Sequence, residues 1–212
     1  MPFNSFSDIL AVIPAILIAI TFHEYAHGKV AYFFGDPTPK LQGRLTLNPI
    51  KHLDPIGTLL LLVARFGWAK PVQINPHNFH GDRKKIVMYV GLAGPLMNLV
   101  LAYLSAVVLQ VMGGLALSGA FSRYLQQFFY LLLFYNVILA VFNLVPIPPL
   151  DGSKILAGIL PSRYLGVLHN LETYGPIILL ILVFTGTIGV IIGKPIDIVI
   201  RFLIFISSFS FF

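Results

Sequence analysis

Long apolar segments alternate with shorter polar ones along the 212-residue chain. A helix rises about 1.5 Å per residue, so roughly 20 apolar residues cross a hydrocarbon core of about 30 Å. Four segments reach that length: residues 8–34, 86–112, 123–145 and 173–192. A turn at Gly193-Lys194-Pro195 is expected before residues 196–212, which suit a marginal fifth span or, with Asp197 and Arg201, a surface helix. The pattern predicts an all-α polytopic membrane protein with about four to five transmembrane helices.

The polar stretch between the first two apolar segments, residues 35–85, contains an element of a different kind. Residues 57–66 are apolar but too few to span the bilayer. In the residues that follow, 67–74, apolar and polar side chains alternate, which is typical of a strand. We therefore expect an interfacial or re-entrant strand or hairpin between the first two helices. The part from Val72 to Ile74 is a candidate to receive an extended peptide by strand addition.

The composition supports a membrane protein and narrows the possible chemistry. Hydrophobic residues make up 57% of the chain and charged residues only 10%, with a mean hydropathy of +0.87. Soluble globular proteins carry about 25% charged residues, so a water-soluble globule is excluded. The chain has no cysteine, which excludes disulfides, thiolate metal ligands and a cysteine nucleophile. Metal-binding and catalytic groups must therefore come from His, Asp and Glu, within a single membrane domain that we expect to cover residues 1–212.

The net charge of +6 is unevenly distributed. Residues 35–85 hold eight of the fourteen Lys and Arg residues: Lys40, Arg44, Lys51, Arg65, Lys70, Arg83, Lys84 and Lys85. Because cytoplasmic loops of membrane proteins are enriched in Lys and Arg, this loop is predicted to be cytoplasmic and the amino terminus external. The basic residues lie between apolar spans rather than on a polar face with aromatic residues, so nucleic acid is not an expected partner. The expected surroundings are the lipid bilayer.

The first apolar segment contains the sequence His23-Glu24-Tyr25-Ala26-His27. On a helix, residues i and i+4 share a face, so His23 and His27 can place two imidazole nitrogens on one zinc ion. Glu24 is then the candidate general base. Ionisable side chains inside a membrane-length helix are costly and usually mark a functional site. The alternative is a chance motif, in which both histidines are ordinary buried side chains bonded to carbonyl groups.

A catalytic zinc site usually has three protein ligands, and this motif supplies only two. The candidates for the third lie in the polar segments: His52, Asp54, His77, His80 and Asp151. A carboxylate is favoured, because zinc at +2, one aspartate and ionised Glu24 sum to about zero charge, the least costly total in a low-dielectric site. Asp151 follows the third span on the predicted cytoplasmic side. It is equally well placed to cap the helix expected at residues 153–160, so both roles stay open at this point.

A further polar position lies inside the second span, in the sequence Gly94-Pro95-Leu96-Met97-Asn98. Gly94 permits the close approach of a neighbouring helix, and Asn98 places an amide within the membrane. The residue types alone allow either a functional amide or a simple interhelical hydrogen bond.

Three motifs in this order carry a family resemblance. The His23 to His27 motif, the Gly94 to Asn98 motif and a third motif resemble those of the site-2 proteases, the intramembrane zinc metalloproteases; the third motif is Asn143-x-x-Pro146-x-x-x-Leu150-Asp151-Gly152. The match runs from about residue 20 to residue 156 and is similar to the short bacterial and archaeal members, which lack a PDZ or nucleotide-binding (CBS) domain. It includes residues 43–49, His52 and Asp54, to which it assigns no role.

The resemblance implies a set of roles for the candidate residues. Zn²⁺ is held by His23, His27 and Asp151, with Glu24 as the base. Asn98 faces the active site, where it holds substrate backbone or the developing oxyanion. The implied activity is hydrolysis of peptide bonds in or near transmembrane segments of membrane protein substrates. The implied location is the cell membrane of a prokaryote, with the active site toward the cytoplasm.

Two other classes of protein fit parts of the pattern. A membrane metal-ion transporter also places His, Asp and Asn in a helix bundle, but it needs a pathway across both faces. Here all candidate ligands lie on the predicted cytoplasmic half. A catalytically inactive membrane scaffold keeps the helices and has no use for Glu24.

Overall fold

The computed structural model describes residues 6–54, 57, 70–115 and 118–209. In these ranges the chain forms seven α-helices, three short 3-10 helices and no strand. The α-helices are α1 (Phe6–Phe33), α2 (Thr38–Leu41), α3 (Arg83–Gly114), α4 (Ala120–Asn143), α5 (Asp151–Ile159), α6 (Leu165–Phe184) and α7 (Thr187–Ser208). The 3-10 helices are Pro49–His52, Pro76–Asn78 and Ser162–Tyr164. The predicted all-α fold is confirmed over this part of the chain.

Among the described residues, the candidates to span a membrane are α1, α3, α4 and the pair formed by α6 and α7. Leu10–Phe33 of α1, all of α3 and all of α4 are each long and apolar enough to cross a bilayer. The pair Asn170–Phe184 and Thr187–Ser208 is bent by 81° and adds a fourth span if it crosses as one unit. The described residues thus contain three or four candidate spans instead of the predicted four to five, because the last two apolar segments form one bent pair. The chain is an integral membrane protein.

The predicted turn at residues 193–195 is wrong, and the chain bends earlier, at Thr185 and Gly186. Gly186 has a φ of +73°, the left-handed conformation that commonly ends a helix and that glycine adopts without steric cost. Its N–H bonds the carbonyl of Val183, which satisfies one of the free carbonyls at the end of α6. The helix α7 continues through Pro195, although this residue has no N–H to donate.

The predicted strand or hairpin at residues 67–74 is not found in the part that the structure describes. Residues 70–75 have no regular secondary structure, and residues 58–69 lie outside the described ranges. The backbone N–H of Val72 is bound by the Glu24 carboxylate and that of Asn75 by Asp36. These amides are bonded to side chains of another segment and are not available to a strand ladder.

The helices α1, α3 and α4 form the central bundle. One buried cluster joins α1 and α4 through Ala11, Val12, Ala15, Leu131 and Leu132. A second joins α3 and α4 to α7 through Ala102, Ala106, Leu133, Val137 and Leu203. Alanine at these contacts lets the helix backbones approach closely, as is usual in membrane bundles.

The direction of the helices brings the three motifs into the same half of this bundle. His27 contacts Val90 while Ala19 contacts Asn98, so α1 and α3 run antiparallel. Asn98 contacts Asn136, while Leu109 of α3 and Arg123 of α4 line one cavity, so α4 runs antiparallel to α3 and parallel to α1. The carboxyl ends of α1 and α4 thus meet the amino end of α3, and α5 follows directly.

Asp36, just after α1, ties the segment 75–78 to this end of the bundle. Its carboxylate is fully buried and accepts hydrogen bonds from Thr38, from the backbone of Asn75 and from the side chain of Asn78. Burial alone would raise the pKa of Asp36, but these hydrogen bonds outweigh burial and lower the pKa below its usual value. The residues just before Asn75 are thereby held against α1, where they reach Glu24.

Candidate metal centre

The two histidines of the first motif lie one helical turn apart on the buried face of α1. Their Nε2 atoms are 3.0 Å apart, and the rings stand almost perpendicular, at 88°. His23 is 4% exposed and His27 5%. The i and i+4 spacing therefore places two imidazole nitrogens at one point, as the sequence predicts.

Asp151 completes this group from the first turn of α5. Its Oδ2 lies 3.1 Å from Nε2 of His23 and 2.9 Å from Nε2 of His27. The ligand atoms of the three residues lie within 4.8 Å of one another, and no other such group occurs among the described residues. Two imidazole nitrogens and one carboxylate oxygen form a donor set that suits a catalytic zinc ion. Leu150 occupies the N-cap position of α5 and Asp151 is the first helical residue, so Asp151 does not serve as the helix cap.

The neighbouring helix α3 leaves space for a metal ion at this point. A Cβ atom on Gly94 would lie 2.5 Å from Nε2 of His27 and 2.6 Å from Cε1 of His23, too close for any side chain. At Gly91, one turn away, a Cβ atom would lie 3.0 Å from Cβ of Lys154 and 3.2 Å from the carbonyl oxygen of Asp151. Glycine at these two positions lets both α1 and α5 approach α3, and the resulting site fits a metal ion.

The charge state of Asp151 also suits a metal ligand. Burial would raise the pKa of its carboxyl, but the polar contacts with the imidazoles of His23 and His27 and the charge of Lys154 outweigh burial and hold the pKa well below its usual value. Nζ of Lys154 donates a hydrogen bond of 2.8 Å to Oδ1 of Asp151. The other carboxylate oxygen, Oδ2, therefore remains available beside the Nε2 atoms of His23 and His27, where a metal ion can bind.

Each imidazole also forms a hydrogen bond through Nδ1, the ring nitrogen that points away from the candidate metal site. Nδ1 of His27 donates to the backbone carbonyl of Val90 over 2.6 Å. Nδ1 of His23 lies 2.5 Å from Oδ1 of Asn98. Such bonds orient the rings and fix which nitrogen is free to bind a metal.

Asn98, the predicted substrate or oxyanion residue, is fully buried behind His23. Its amide nitrogen donates to the carbonyl of Ala19 over 3.0 Å and to Oδ1 of Asn136 over 2.7 Å. The Asn98 side chain thus contacts Ala19, Asn136 and His23, all within the protein. The expected contact with substrate stays a prediction. Asn136 has no motif around it, and the only sequence signal for it is an amide side chain within a predicted membrane span.

Glu24 lies beside the histidines, on the side of a cavity of about 100 Å³. Its Oε2 accepts a hydrogen bond of 2.9 Å from the backbone N–H of Val72. The cavity is lined on one side by Pro71, Val72 and Ile74 and on the other by residues that include Asn143, Pro149 and Lys154. One oxygen of the Glu24 carboxylate is thus fixed, next to the group that can bind a metal.

The other candidate ligands are not part of this group. His52 is fully buried and its Nε2 bonds the carbonyl of Thr46 over 2.8 Å. Oδ1 of Asp54 accepts a hydrogen bond from the backbone of Gly57. The ring of His80 lies against Gly35, and the exposed His77 lies in the same stretch. None of the four belongs to the cluster of potential ligands found in the described ranges.

Comparison with known proteins gives a family match and several relatives. A model of Peptidase family M50 matches residues 112–185. A protein of Bacillus subtilis (strain 168), named zinc metalloprotease YwhC, is 46% identical over 172 residues, which are 80% of this chain and 78% of the relative. Zinc metalloprotease Rip2 of Mycolicibacterium smegmatis is 32% identical over 198 residues, 89% of this chain and 72% of the relative. The relatives' names themselves mark the activity as provisional.

No solved structure matches the chain. The predicted zinc cofactor agrees both with the names of the relatives and with the group formed by His23, His27 and Asp151. The relative from Bacillus subtilis matches over most of both chains. The chain therefore belongs to peptidase family M50, the site-2 proteases, as its three motifs indicate.

Proposed function

We propose that this protein is a zinc-dependent endopeptidase that hydrolyses peptide bonds in or near transmembrane segments of membrane protein substrates. The observation that carries the proposal is the depth of the site along a membrane-length helix. His23 lies 13 residues after Leu10 and 10 residues before Phe33, about 20 Å and 15 Å from the two ends of the span at 1.5 Å per residue. A peptide bond that reaches this centre has entered the depth of the bilayer.

Zinc, when bound by His23, His27 and Asp151, supplies a Lewis acid that polarises a peptide carbonyl and makes water more acidic. Glu24 takes the proton from the attacking water and later gives it to the leaving amine. The N–H of Val72 holds Oε2 of Glu24, so Oε1 is the oxygen available for this proton. The low-dielectric surroundings of the bundle strengthen each of these electrostatic contacts.

The substrate class follows from the same site. The backbone carbonyls of a transmembrane helix are bonded within the helix, so a substrate segment must unwind locally before it can be attacked. The cavity of about 100 Å³ holds only a small part of an extended peptide, so the site must open further to admit a substrate segment. We infer that the substrate enters from the lipid bilayer.

The experiment that tests this function compares native protein with Glu24→Gln. The substitution keeps the size of the side chain and removes the base, so zinc should remain bound while cleavage falls by about 100- to 10,000-fold. Purified protein is analysed for metal, then incubated in liposomes with a panel of single-span proteins, and the products are identified by mass spectrometry. Near-native cleavage by the variant would reject Glu24 as the base. Zinc flux into the liposomes, without cleavage, would support the transporter instead.

We infer further that the site opens toward the cytoplasm of a prokaryotic cell. Residues 35–85, which comprise the loop after α1 and the first turn of α3, carry eight Lys and Arg residues, whereas residues 113–122 carry none. Since the native chain has no cysteine, single-cysteine labelling reads the orientation directly. In intact cells, an impermeant thiol reagent should modify Ser118→Cys and not His77→Cys, both at exposed positions. Labelling of His77→Cys from outside would reverse the assignment.

A further inference from the structure

A chain of hydrogen bonds runs from the backbone of α4 to the metal-facing imidazole of His23. Asn136 in α4 bonds the carbonyl of Leu132 over 2.8 Å and the Asn98 side chain over 2.7 Å. Asn98 in turn lies 2.5 Å from Nδ1 of His23. Both asparagines are completely buried, and His23 is 4% exposed. Water therefore does not compete for these bonds, and each group depends on the next one.

The backbone carbonyls of Leu132 and Ala19 determine which atom of each asparagine amide donates and which accepts in this series of hydrogen bonds. A carbonyl only accepts hydrogen bonds, so Asn136 must present its NH₂ to Leu132 and its oxygen to Asn98. The carbonyl of Ala19 and the oxygen of Asn136 are both acceptors, and the NH₂ of Asn98 serves both. The oxygen of Asn98 is then the atom that faces His23, and it can only accept.

We propose that Asn136 is a positioning residue that sets the tautomer of His23 through Asn98. An acceptor at Nδ1 requires that nitrogen to carry the proton, which leaves the lone pair of a neutral imidazole on Nε2. Nε2 is the atom that faces His27 and Asp151. His23 is thereby prepared to bind a metal through Nε2. The inference rests on the proposed function in that the group is a zinc site.

His27 provides an internal comparison, because its tautomer is set without a side chain. Its Nδ1 donates directly to the carbonyl of Val90, which cannot change direction. The amide of Asn98, in contrast, can turn by half a rotation and exchange its oxygen and nitrogen. Asn136 and Ala19 are the two groups that oppose this turn. A turned amide would donate to Nδ1 of His23 and move the proton to Nε2, which could no longer bind a metal.

The test uses two substitutions of nearly the same size. Asn136→Leu removes the acceptor, so we expect zinc affinity, measured by competition with a chelator, to fall by about 10- to 100-fold, the usual effect of losing a group that orients a ligand. Asn136→Asp, buried as the neutral acid, can donate its O–H to Leu132 and accept from Asn98, and should bind zinc as the native protein does. Ser105→Ala is the matched control, since it removes another buried hydrogen bond of α3, to Leu101, and should leave zinc affinity unchanged.

Nitrogen-15 NMR of histidine-labelled, metal-free protein reads the tautomer itself. Native protein and Asn136→Asp should show the proton of His23 on Nδ1, and Asn136→Leu should move a fraction of it to Nε2, while His27 stays unchanged. A native His23 whose Nδ1 carries no proton would overturn the inference, and this measurement does not depend on whether Asn136→Leu folds. Equal losses of zinc in Asn136→Leu, Asn136→Asp and Ser105→Ala would also overturn it. Native protein with Nδ1 protonated but no zinc affinity would instead refute the proposed function.

Discussion

The region around the metal centre and the C-terminal arm formed by α6 and α7 place their polar residues in opposite ways. In the bundle, Asn98, Asn136 and Asp151 are buried, and each is bonded to another group of the protein. In the arm, Asp197 and Arg201 form an ion pair whose side chains are 61% and 78% exposed. A buried polar group is costly unless it is bonded, so the bundle fixes its polar side chains in one arrangement. The pair of the arm lies at the protein surface, outside the packed core.

The same contrast applies to two glycines. Gly94 in α3 has an ordinary helical backbone and is required for space, because a Cβ atom there would overlap both metal-site imidazoles. Gly186 in the arm has nothing within 4 Å of such an atom and is required for its φ of +73°. A substitution to alanine therefore tests space in the bundle and backbone conformation in the arm.

The largest effect is expected for Gly94→Ala. The added methyl group would lie 2.5 Å from Nε2 of His27, so one or both imidazoles must move away from the position that binds a metal. We expect zinc content near zero and loss of cleavage by at least the factor of about 100 that misplaced catalytic groups cost. Gly113→Ala, in the last turns of the same helix with open space around it, should behave as the native protein. Full zinc occupancy in Gly94→Ala would show that α3 does not limit the site.

The sequence predicts the local part of this site and leaves the distant part undetermined. His23, Glu24 and His27 belong to one helical turn, so their spacing alone defines their geometry. Asp151 lies 124 residues beyond His27, and its spacing fits a ligand and a helix cap equally well. The packing of α5 against Gly91 decides between these roles, and that packing is not encoded in any short motif.

Two errors in the predicted elements have a similar origin. The alternating residues 67–74 match a strand, but in the described part of this stretch Glu24 and Asp36, far away in the chain, bind the backbone N–H groups of Val72 and Asn75. The Gly-Lys-Pro sequence at 193–195 matches a turn, yet Gly186 ends α6 first and α7 continues through the proline. Tertiary contacts decide the first case, and competition between neighbouring turn signals decides the second. A local sequence pattern contains neither kind of information.

A smaller effect is expected for Gly186→Ala. Alanine in the left-handed conformation costs about 1–2 kcal/mol, so the free energy of unfolding in detergent should fall by that amount. Zinc content and the cleavage rate of the folded protein should not change, because the bend is far from the metal-centre motifs in the chain. Gly189→Ala, just inside α7 with open space around it, is the control and should be neutral or stabilising by about 0.5–1 kcal/mol. Loss of zinc in Gly186→Ala, with Gly189→Ala unaffected, would show that the arm controls the site.

The smallest effect is expected for the ion pair of the arm. Nε of Arg201 donates to Oδ2 of Asp197 over 2.8 Å, one turn away on α7. Exposed pairs of this spacing contribute only about 0.3–0.5 kcal/mol, because solvent screens the charges and the side chains lose conformational freedom. Arg201→Ala and Asp197→Ala should therefore each leave zinc content and cleavage unchanged and lower the unfolding free energy by no more than that amount. A double-mutant cycle measured by unfolding in detergent isolates the pair. A coupling of 2 kcal/mol or more, far above the roughly 0.5 kcal/mol expected of a solvated pair, would mean that this face of α7 is enclosed in the membrane, like the polar groups of the bundle.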